Sequence, residues 1–215
     1  MKYHFDVRGA AHLLLVLSAT LVVYVLTMPR TISLEDAGLF QMVCHLGGIG
    51  HPPGYPLFTN LCQSFVQLPI FSPGVFAGNF LSALFAALSC SVLYSCCLSI
   101  TKDQLVASVA ALAYGFSATF WSQAIIIEVY SLTVLMFLLC WRALLSFAQS
   151  GNIRFLYLAI FVYGASLANH WPLMVLSTPA LLVTVLPRLD TIISSLKSPG
   201  FWLRSIVAML IGLSP

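Results

Sequence analysis

Apolar residues form long runs along this chain, separated by short polar turns and one long mixed segment. Each run is close to the roughly 20 residues that an α-helix needs to cross the hydrocarbon core of a bilayer. A helix also satisfies its own backbone hydrogen bonds, which lipid cannot do. The pattern therefore predicts an all-α integral membrane protein, a polytopic bundle of about six to seven transmembrane helices. The runs cover about 11–28, 75–100, 104–120, 124–147, 153–168 and 173–186, and a last run begins near Phe201.

The long mixed segment, residues 29–74, is rich in glycine, proline and histidine and follows the first span. We call it the first loop and expect it to contain short interfacial helices. Within it, Ser33 and Asp36 have the spacing of a capping box, which predicts a helix start there. Two shorter polar interruptions, at Trp121–Gln123 and at Asn169–Pro172, are predicted to separate spans three and four and spans five and six.

Composition supports the membrane class and orients the chain. Apolar residues make up 60% of the chain and charged residues 7%, whereas a soluble domain is about one-quarter charged. With the N-terminus in the cytoplasm, every basic residue except Arg30 lies at or near a cytoplasmic end, as the positive-inside rule requires. The net charge of +3 is dispersed, so nucleic acid is not an expected partner. The first loop is then extracytoplasmic.

The six cysteines suggest neither a metal site nor a redox motif, because no C-x-x-C spacing occurs. Four of them lie in apolar runs, where cysteine acts as a small hydrophobic residue. Cys44 and Cys62 share the first loop and would pair only in an oxidising compartment. We expect them to be unpaired.

Most of the unusual polar residues fall on the predicted outer face, and four features there suggest chemistry. Each also has a structural interpretation: a helix cap for the acidic pair, a rigid corner for the proline-rich run, an interfacial carboxylate, and a structural histidine. No two of these residues have the i, i+4 spacing of helical metal ligands, so neither a metal nor another cofactor is expected. The features are Glu35-Asp36, His51-Pro52-Pro53-Gly54-Tyr55-Pro56, Glu128 with Tyr130, and Asn169-His170.

These features, in this order, resemble the bacterial protein O-mannosyltransferase-like family of GT-C membrane glycosyltransferases. That family shows an acidic motif after its first span, an H-P-P-G-Y-P-like loop, an S-Q-A-x-x-x-E-V-Y-x-L stretch and an N-H motif at a helix end. The second acid of the family's acidic motif corresponds to Leu39, which cannot titrate, and Glu35, adjacent to Asp36, is the acid that could take its place. The matching segments are Asp36–Leu39, His51–Pro56, Ser122–Leu132 and Asn169-His170, with Asn79–Phe85 similar to the entry of the second span.

The resemblance implies transfer of a mannose-like sugar from a polyprenyl-phosphate donor to a hydroxyl of a protein or glycan acceptor. It implies an extracytoplasmic reaction by a multi-pass protein of the inner (cytoplasmic) membrane. Asp36, with Glu35 beside it, is then the catalytic acid that removes the acceptor proton. The chain is expected to form one domain over residues 1–215, as the N-terminal part of a longer protein. The implied substrate-binding residues are His51, Tyr55, Gln123, Glu128, Tyr130, Asn169 and His170.

Two other functions remain open at this stage. A polytopic transporter also uses broken helices and intramembrane polar groups, although no inverted repeat is visible between the halves of this sequence. A non-catalytic subunit that binds a lipid-linked sugar would tolerate Leu39 in the acidic motif. Consumption of a lipid-linked donor distinguishes the enzyme from both.

Overall fold

The computed structural model describes residues 7–33, 36–71 and 74–214, with side chains from Gly9 onward. These residues form eleven α-helices and one 3-10 turn. The helices are α1 (Val7–Thr27), α2 (Ala37–Leu46), α3 (Pro56–Val66), α4 (Phe76–Thr101), α5 (Gln104–Gly115), α6 (Ala118–Ala124), α7 (Val129–Ser150), α8 (Ile153–Leu167), α9 (Trp171–Val185), α10 (Leu189–Leu196) and α11 (Pro199–Leu213), with the 3-10 turn at Leu186–Arg188.

The predicted fold class is confirmed, but fewer helices are long enough to span than the six to seven expected. Four described segments meet the length and hydropathy of a span: Gly9–Thr27, Phe76–Thr101, Val129–Ser150 and Trp171–Leu196. Helices α5 and α6, bent by 68° at their junction, form a fifth if they are one broken span. The difference lies in α8 and α11, each of 15 residues. Such a helix is about 22 Å long, shorter than the hydrocarbon core.

Helix α8 nevertheless traverses the same layer as α7. At one end, Asn169 Nδ2, just past α8, donates to the Val129 carbonyl at the start of α7. At the other end, Arg188 Nε donates to the Ala148 carbonyl in the last turn of α7, at 2.9 Å. Helix α9 lies between Asn169 and Arg188. Each of α7, α8 and α9 is therefore antiparallel to the helix before it, and all three cross the same layer.

The bundle therefore has two faces. Helices α1 and α4 are antiparallel, because Asn79 near the start of α4 donates to the Pro29 carbonyl, while Tyr94 near its end donates to the Gly9 carbonyl. Between them, Tyr24 donates to the Gly115 carbonyl at 2.7 Å, and a Cβ at Gly115 would lie 2.8 Å from the Cys90 sulfur. Glycine thus lets α5 pack closely here.

We call the face that bears the first loop the site face and the other the opposite face. The site face comprises the end of α1, the starts of α4, α7 and α9, and the ends of α6 and α8. Arg30 lies on it, next to Pro29. The basic residues Lys102, Arg154, Arg188 and Lys197 lie at helix ends on the opposite face, which is the segregation that the charge pattern predicted.

The break between spans three and four differs from the prediction. Trp121–Gln123 are helical, within α6, and the actual breaks are Phe116-Ser117 and Ile125–Glu128. Glu128 is consequently not inside a helical span but at the N-cap of α7, with extended backbone. A carboxylate there accepts from otherwise unpaired helix N–H groups. The predicted break at Asn169–Pro172 is confirmed only at Asn169-His170, between α8 and α9, because Trp171 and Pro172 form the first turn of α9.

The first loop contains the predicted short helices, α2 and α3, but two expectations about it are wrong. Helix α2 begins at Ala37 with Asp36 at the N-cap position and no side-chain cap, so Ser33 does not begin a capping box. Cys44 and Cys62, which we expected to be unpaired, form a disulfide between α2 and α3. The spacing of cysteines in sequence could not show that the two helices pack side by side.

We expect loss of this disulfide to destabilise the first loop. A bridge that closes a loop of 18 residues contributes about 3 kcal/mol by restricting the unfolded chain. Cys62→Ser should therefore lower the thermal unfolding temperature of the purified chain in detergent. Cys97→Ser is the matched control, since Cys97 is a free, partly exposed thiol in α4. Equal unfolding temperatures for both variants would contradict a stabilising disulfide.

Candidate functional site

The site begins with a carboxylate–imidazole pair at the surface of the site face. His51 Nε2 lies 3.1 Å from Asp36 Oδ2, across 15 residues of sequence. Both side chains remain accessible, with 38% of His51 and 59% of Asp36 exposed. Asp36 is free to do this because its side chain does not cap α2. An accessible carboxylate held by one partner can still receive a proton from another molecule.

A tight turn positions His51 and the residues that follow it. The Gly54 N–H donates to the His51 carbonyl at 2.9 Å, and Gly54 has φ of +92°, which favours glycine. Tyr55 is also left-handed, with φ of +46°, at a cost of about 1–2 kcal/mol for a residue with a Cβ. Buried packing of its ring against Phe40, with centroids 5.7 Å apart, offsets this cost.

This turn is joined to the break between α8 and α9. The Leu57 N–H donates to the Ala168 carbonyl at 3.1 Å. The Tyr55 ring stacks on His170 with centroids 5.9 Å apart, and His170 contacts the Tyr130 ring edge-on at 5.5 Å. The His51 ring is 5.2 Å from Tyr55. Four predicted site residues therefore form a continuous row of rings, in the order Tyr130, His170, Tyr55 and His51. The His51 end of this row contacts Asp36.

Burial sets the protonation of two members of this row. It lowers the pKa of His170, so this imidazole is neutral at neutral pH. Burial also raises the pKa of Tyr55, and the nearby Tyr130, Glu128 and Asp36 raise it further. The phenol thus stays protonated as a hydrogen-bond donor, and Glu128 and Asp36 both act electrostatically on it.

Two buried polar atoms at the α8–α9 break have no hydrogen-bond partner among the described residues. Asn169 is 1% exposed, and its Nδ2 donates to Thr133 Oγ1 at 2.9 Å. Thr133 in turn donates to the Val129 carbonyl, which fixes the orientation of the Asn169 amide. Asn169 Oδ1 and His170 Nδ1 are then left with no hydrogen-bond partner in the described part of the chain. Buried polar atoms of this kind call for a bound hydrogen-bond partner.

Asn79, in the first turn of α4, ties three segments of the site together. Its Oδ1 accepts from the Ile127 N–H at 3.0 Å and from Gln41 of α2, and its Nδ2 donates to the Pro29 carbonyl. Glu128, which follows Ile127 in sequence, donates its N–H to Ser82 Oγ at 3.1 Å. These bonds hold the non-helical stretch before α7, and thus Glu128, next to the first loop.

The remaining predicted residues lie along the same face. Gln123, at the end of α6, accepts a bond at its carbonyl from Ser131 of α7. Gln123 and Tyr130 line a cavity of about 380 Å³ between α5, α6 and α7. Glu35, the second predicted catalytic acid, lies outside the described residues. Among the residues that are described, no three His, Cys, Asp or Glu side chains are grouped to hold a metal ion.

Sequence reasoning did not assign roles to Asn79 or Phe40. Asn79 stands in an otherwise apolar helix start, and an intramembrane amide at that point is the signal that could have identified it. Phe40 is an ordinary apolar position of α2, yet its ring touches those of His51, Tyr55 and Phe58.

We expect Asn79→Leu to destabilise the bundle by about 2–4 kcal/mol, since it leaves the buried Ile127 N–H and the Pro29 carbonyl without their partner. Thermal unfolding of the purified chain in detergent measures this loss. Asn60→Leu, at an exposed position of α3, is the control. Similar unfolding temperatures for the two variants would show that the Asn79 bonds are not stabilising.

Comparison with known proteins places these features in a family. The family model described as "Protein O-mannosyl-transferase TMEM260 N-terminal domain" matches residues 36–192. The protein named "Protein O-mannosyl-transferase TMEM260" from Mus musculus is 33% identical over 117 residues, which cover 54% of this chain and 17% of that protein. The protein of that name from Dictyostelium discoideum is 28% identical over 185 residues, covering 79% of this chain and 22% of that protein.

The chain thus spans about a fifth of the length of these curated relatives. No solved structure matches it significantly. The family match begins at Asp36, ends beyond His170 and covers more than half of the chain. We conclude that this chain belongs to the family of the protein O-mannosyl-transferase TMEM260 N-terminal domain.

Proposed function

We propose that this chain is the catalytic membrane domain of a GT-C glycosyltransferase. In this proposal it transfers a mannose-like sugar from a polyprenyl-phosphate donor to an acceptor hydroxyl on a protein or glycan. The observation that carries the proposal is the accessible Asp36–His51 pair, joined through Tyr55 to the break between α8 and α9. The names of the mouse and Dictyostelium relatives support a protein acceptor and a mannose-like sugar.

Each nitrogen of the His51 ring lies next to a hydrogen-bond acceptor. Nδ1 lies 3.0 Å from the Pro52 carbonyl oxygen, and Nε2 lies 3.1 Å from Asp36 Oδ2. A carbonyl only accepts, so Nδ1 donates, and a neutral ring would then have no proton on Nε2 to offer the carboxylate. A ring with protons on both nitrogens donates to both acceptors, and we propose that this form acts in the transfer step. In that form the ring carries a positive charge beside the proposed base.

In the proposed step, Asp36 takes the proton of the acceptor hydroxyl while the hydroxyl oxygen bonds to the anomeric carbon. The bond from that carbon to the phosphate oxygen breaks, and polyprenyl phosphate leaves with the electron pair. This leaving group needs charge stabilisation rather than a proton. His51 supplies it as a cation, whereas His170, whose pKa is lowered by burial, acts as a neutral hydrogen-bonding group.

The unpartnered polar atoms support a sugar-binding role for the α8–α9 break. Asn169 Oδ1 needs a donor and His170 Nδ1 needs a donor or an acceptor, according to its tautomer. A sugar hydroxyl group can act as either. Tyr55 and Tyr130 flank His170 with ring faces and edges suited to the apolar side of a sugar. Gln123 lines the neighbouring cavity, and the buried Glu128 carboxylate lies at the N-cap of α7 beside Tyr130. We propose that these six residues orient the sugar and the acceptor.

We propose that the site face is extracytoplasmic and the N-terminus cytoplasmic. Basic residues at helix ends of the opposite face support this orientation through the positive-inside rule. The Cys44–Cys62 disulfide of the first loop supports it independently, because disulfides persist in oxidising compartments. Assignment to the inner (cytoplasmic) membrane rests on the resemblance to the bacterial family and stays a prediction.

A choice of donors tests the proposal. The purified chain in proteoliposomes is given an acceptor peptide with either polyprenyl-phosphate mannose or a nucleotide-linked mannose. We expect mannose on the peptide with the lipid-linked donor and none above background with the nucleotide. Transfer from the nucleotide donor alone would contradict a lipid-dependent enzyme.

A further inference from the structure

A second site lies on the opposite half of the bundle, around the one arginine in the interior of α7. Arg142 lies about 12 Å along the helix axis before the end of α7. Its Nε donates to Ser95 Oγ of α4 at 2.8 Å, and its Nη1 donates to Ser146 Oγ, one turn further toward the opposite face. The guanidinium thus points from membrane depth toward the headgroup region.

The charge of Arg142 is not neutralised by the described protein. Among residues 7–33, 36–71 and 74–214, Arg142 forms no ion pair. The ion pair found there joins Asp36 and His51, on the site face. Asp103, at the end of α4 on the same face, uses its carboxylate to cap α5 through the Leu105 and Val106 N–H groups. A cation at membrane depth is costly without a counter-ion, and two serine hydroxyls supply only neutral dipoles.

A second cation lies one turn away. Lys102 Nζ and Gln149 Nε2 both donate to the Ser99 carbonyl in the last turn of α4. Ser95 and Ser99 are one turn apart on the same side of α4, so the lysine, the glutamine amide and the arginine line one seam between α4 and α7. A guanidinium and an amide at headgroup depth suit a phosphate group.

We propose that the seam between α4 and α7, formed by Arg142, Ser95, Ser146 and Gln149, binds the phosphate of an anionic phospholipid. The depth of Arg142 selects a lipid rather than a dissolved anion, because the acyl chains of that lipid lie along the apolar flanks of α4 and α7. The site is separate from the proposed transfer reaction, since it lies on the opposite face.

Retention of lipid by the purified chain tests this proposal. Nanodiscs of phosphatidylcholine with a minor fraction of phosphatidylglycerol are exchanged into detergent, and the lipids that remain bound are counted by native mass spectrometry. We expect the wild type to retain phosphatidylglycerol over phosphatidylcholine and Arg142→Gln to bind it about tenfold more weakly, the loss of one charge-assisted contact. Arg154→Gln, at an exposed position of the same face, should retain it like the wild type.

Two further arms keep the test decisive. Arg142→Lys keeps the positive charge but lacks the planar guanidinium, so it should retain part of the phosphatidylglycerol that the wild type retains. This variant tests the proposal even if Arg142→Gln does not fold. Excess inorganic phosphate should not displace the lipid. Equal retention by wild type and Arg142→Gln, or displacement by inorganic phosphate, would overturn the proposal.

Discussion

Asp36→Asn is expected to lower the rate of mannose transfer by about two to three orders of magnitude, the usual contribution of a general base. Asparagine has the size of aspartate and can still accept a bond from His51 Nε2, so the pair should remain in contact. It cannot take a proton from the acceptor hydroxyl. The measurement is the initial rate of transfer from polyprenyl-phosphate mannose to a peptide in proteoliposomes.

The control for this variant is Asp103→Asn on the opposite face. Asp103 caps α5, and asparagine caps a helix about as well as aspartate, so transfer should stay near the wild-type rate. Binding of the lipid donor should also survive in Asp36→Asn. A transfer rate for Asp36→Asn near that of Asp103→Asn would show that Asp36 is not the base.

His51→Gln is expected to lower the transfer rate by about a hundredfold, because it removes the cation that stabilises the leaving phosphate. Glutamine can still donate to Asp36, so loss of rate without loss of donor binding separates a charge effect from a collapse of the turn. The rate at saturating donor and the affinity for the donor are measured separately.

His45→Gln is the matched control within the first loop. His45 Nε2 contacts the Gly74 carbonyl rather than a carboxylate, so its replacement should leave the saturating rate nearly unchanged. Equal losses in the two histidine variants would indicate a general disturbance of the loop. A full rate in His51→Gln would remove the imidazolium from the mechanism.

The helical class and the site face could be predicted from sequence because both depend on local properties. A long apolar run forms a membrane helix whatever its tertiary contacts, and turns rich in basic residues lie on the cytoplasmic side of a membrane. The exact breaks could not be predicted, because Trp121–Gln123 look polar but continue a helix, whereas Ile125–Ile127 look apolar but are not helical. There, the Asn79 amide satisfies the Ile127 N–H, a tertiary contact that no local pattern contains.

The sequence predicted which residues belong to the site, but it could not predict which of them contact one another. His51 meets Asp36 because Gly54 and Tyr55 adopt left-handed backbone and the loop is bonded to Ala168. The disulfide was missed for the same reason, since pairing depends on α2 packing against α3. The assignment of roles to these residues remains a prediction until the variants are measured.

The most direct test of the central claim follows both substrates in one preparation. Proteoliposomes with the chain, polyprenyl-phosphate mannose and an external acceptor peptide are sampled for released polyprenyl phosphate and for mannosylated peptide. We predict that the two appear together in equal amounts and that both form about two to three orders of magnitude more slowly in the Asp36→Asn variant. Donor that is bound but never cleaved, or mannose that crosses the membrane unattached to peptide, would contradict an enzyme and favour a binding subunit or a transporter.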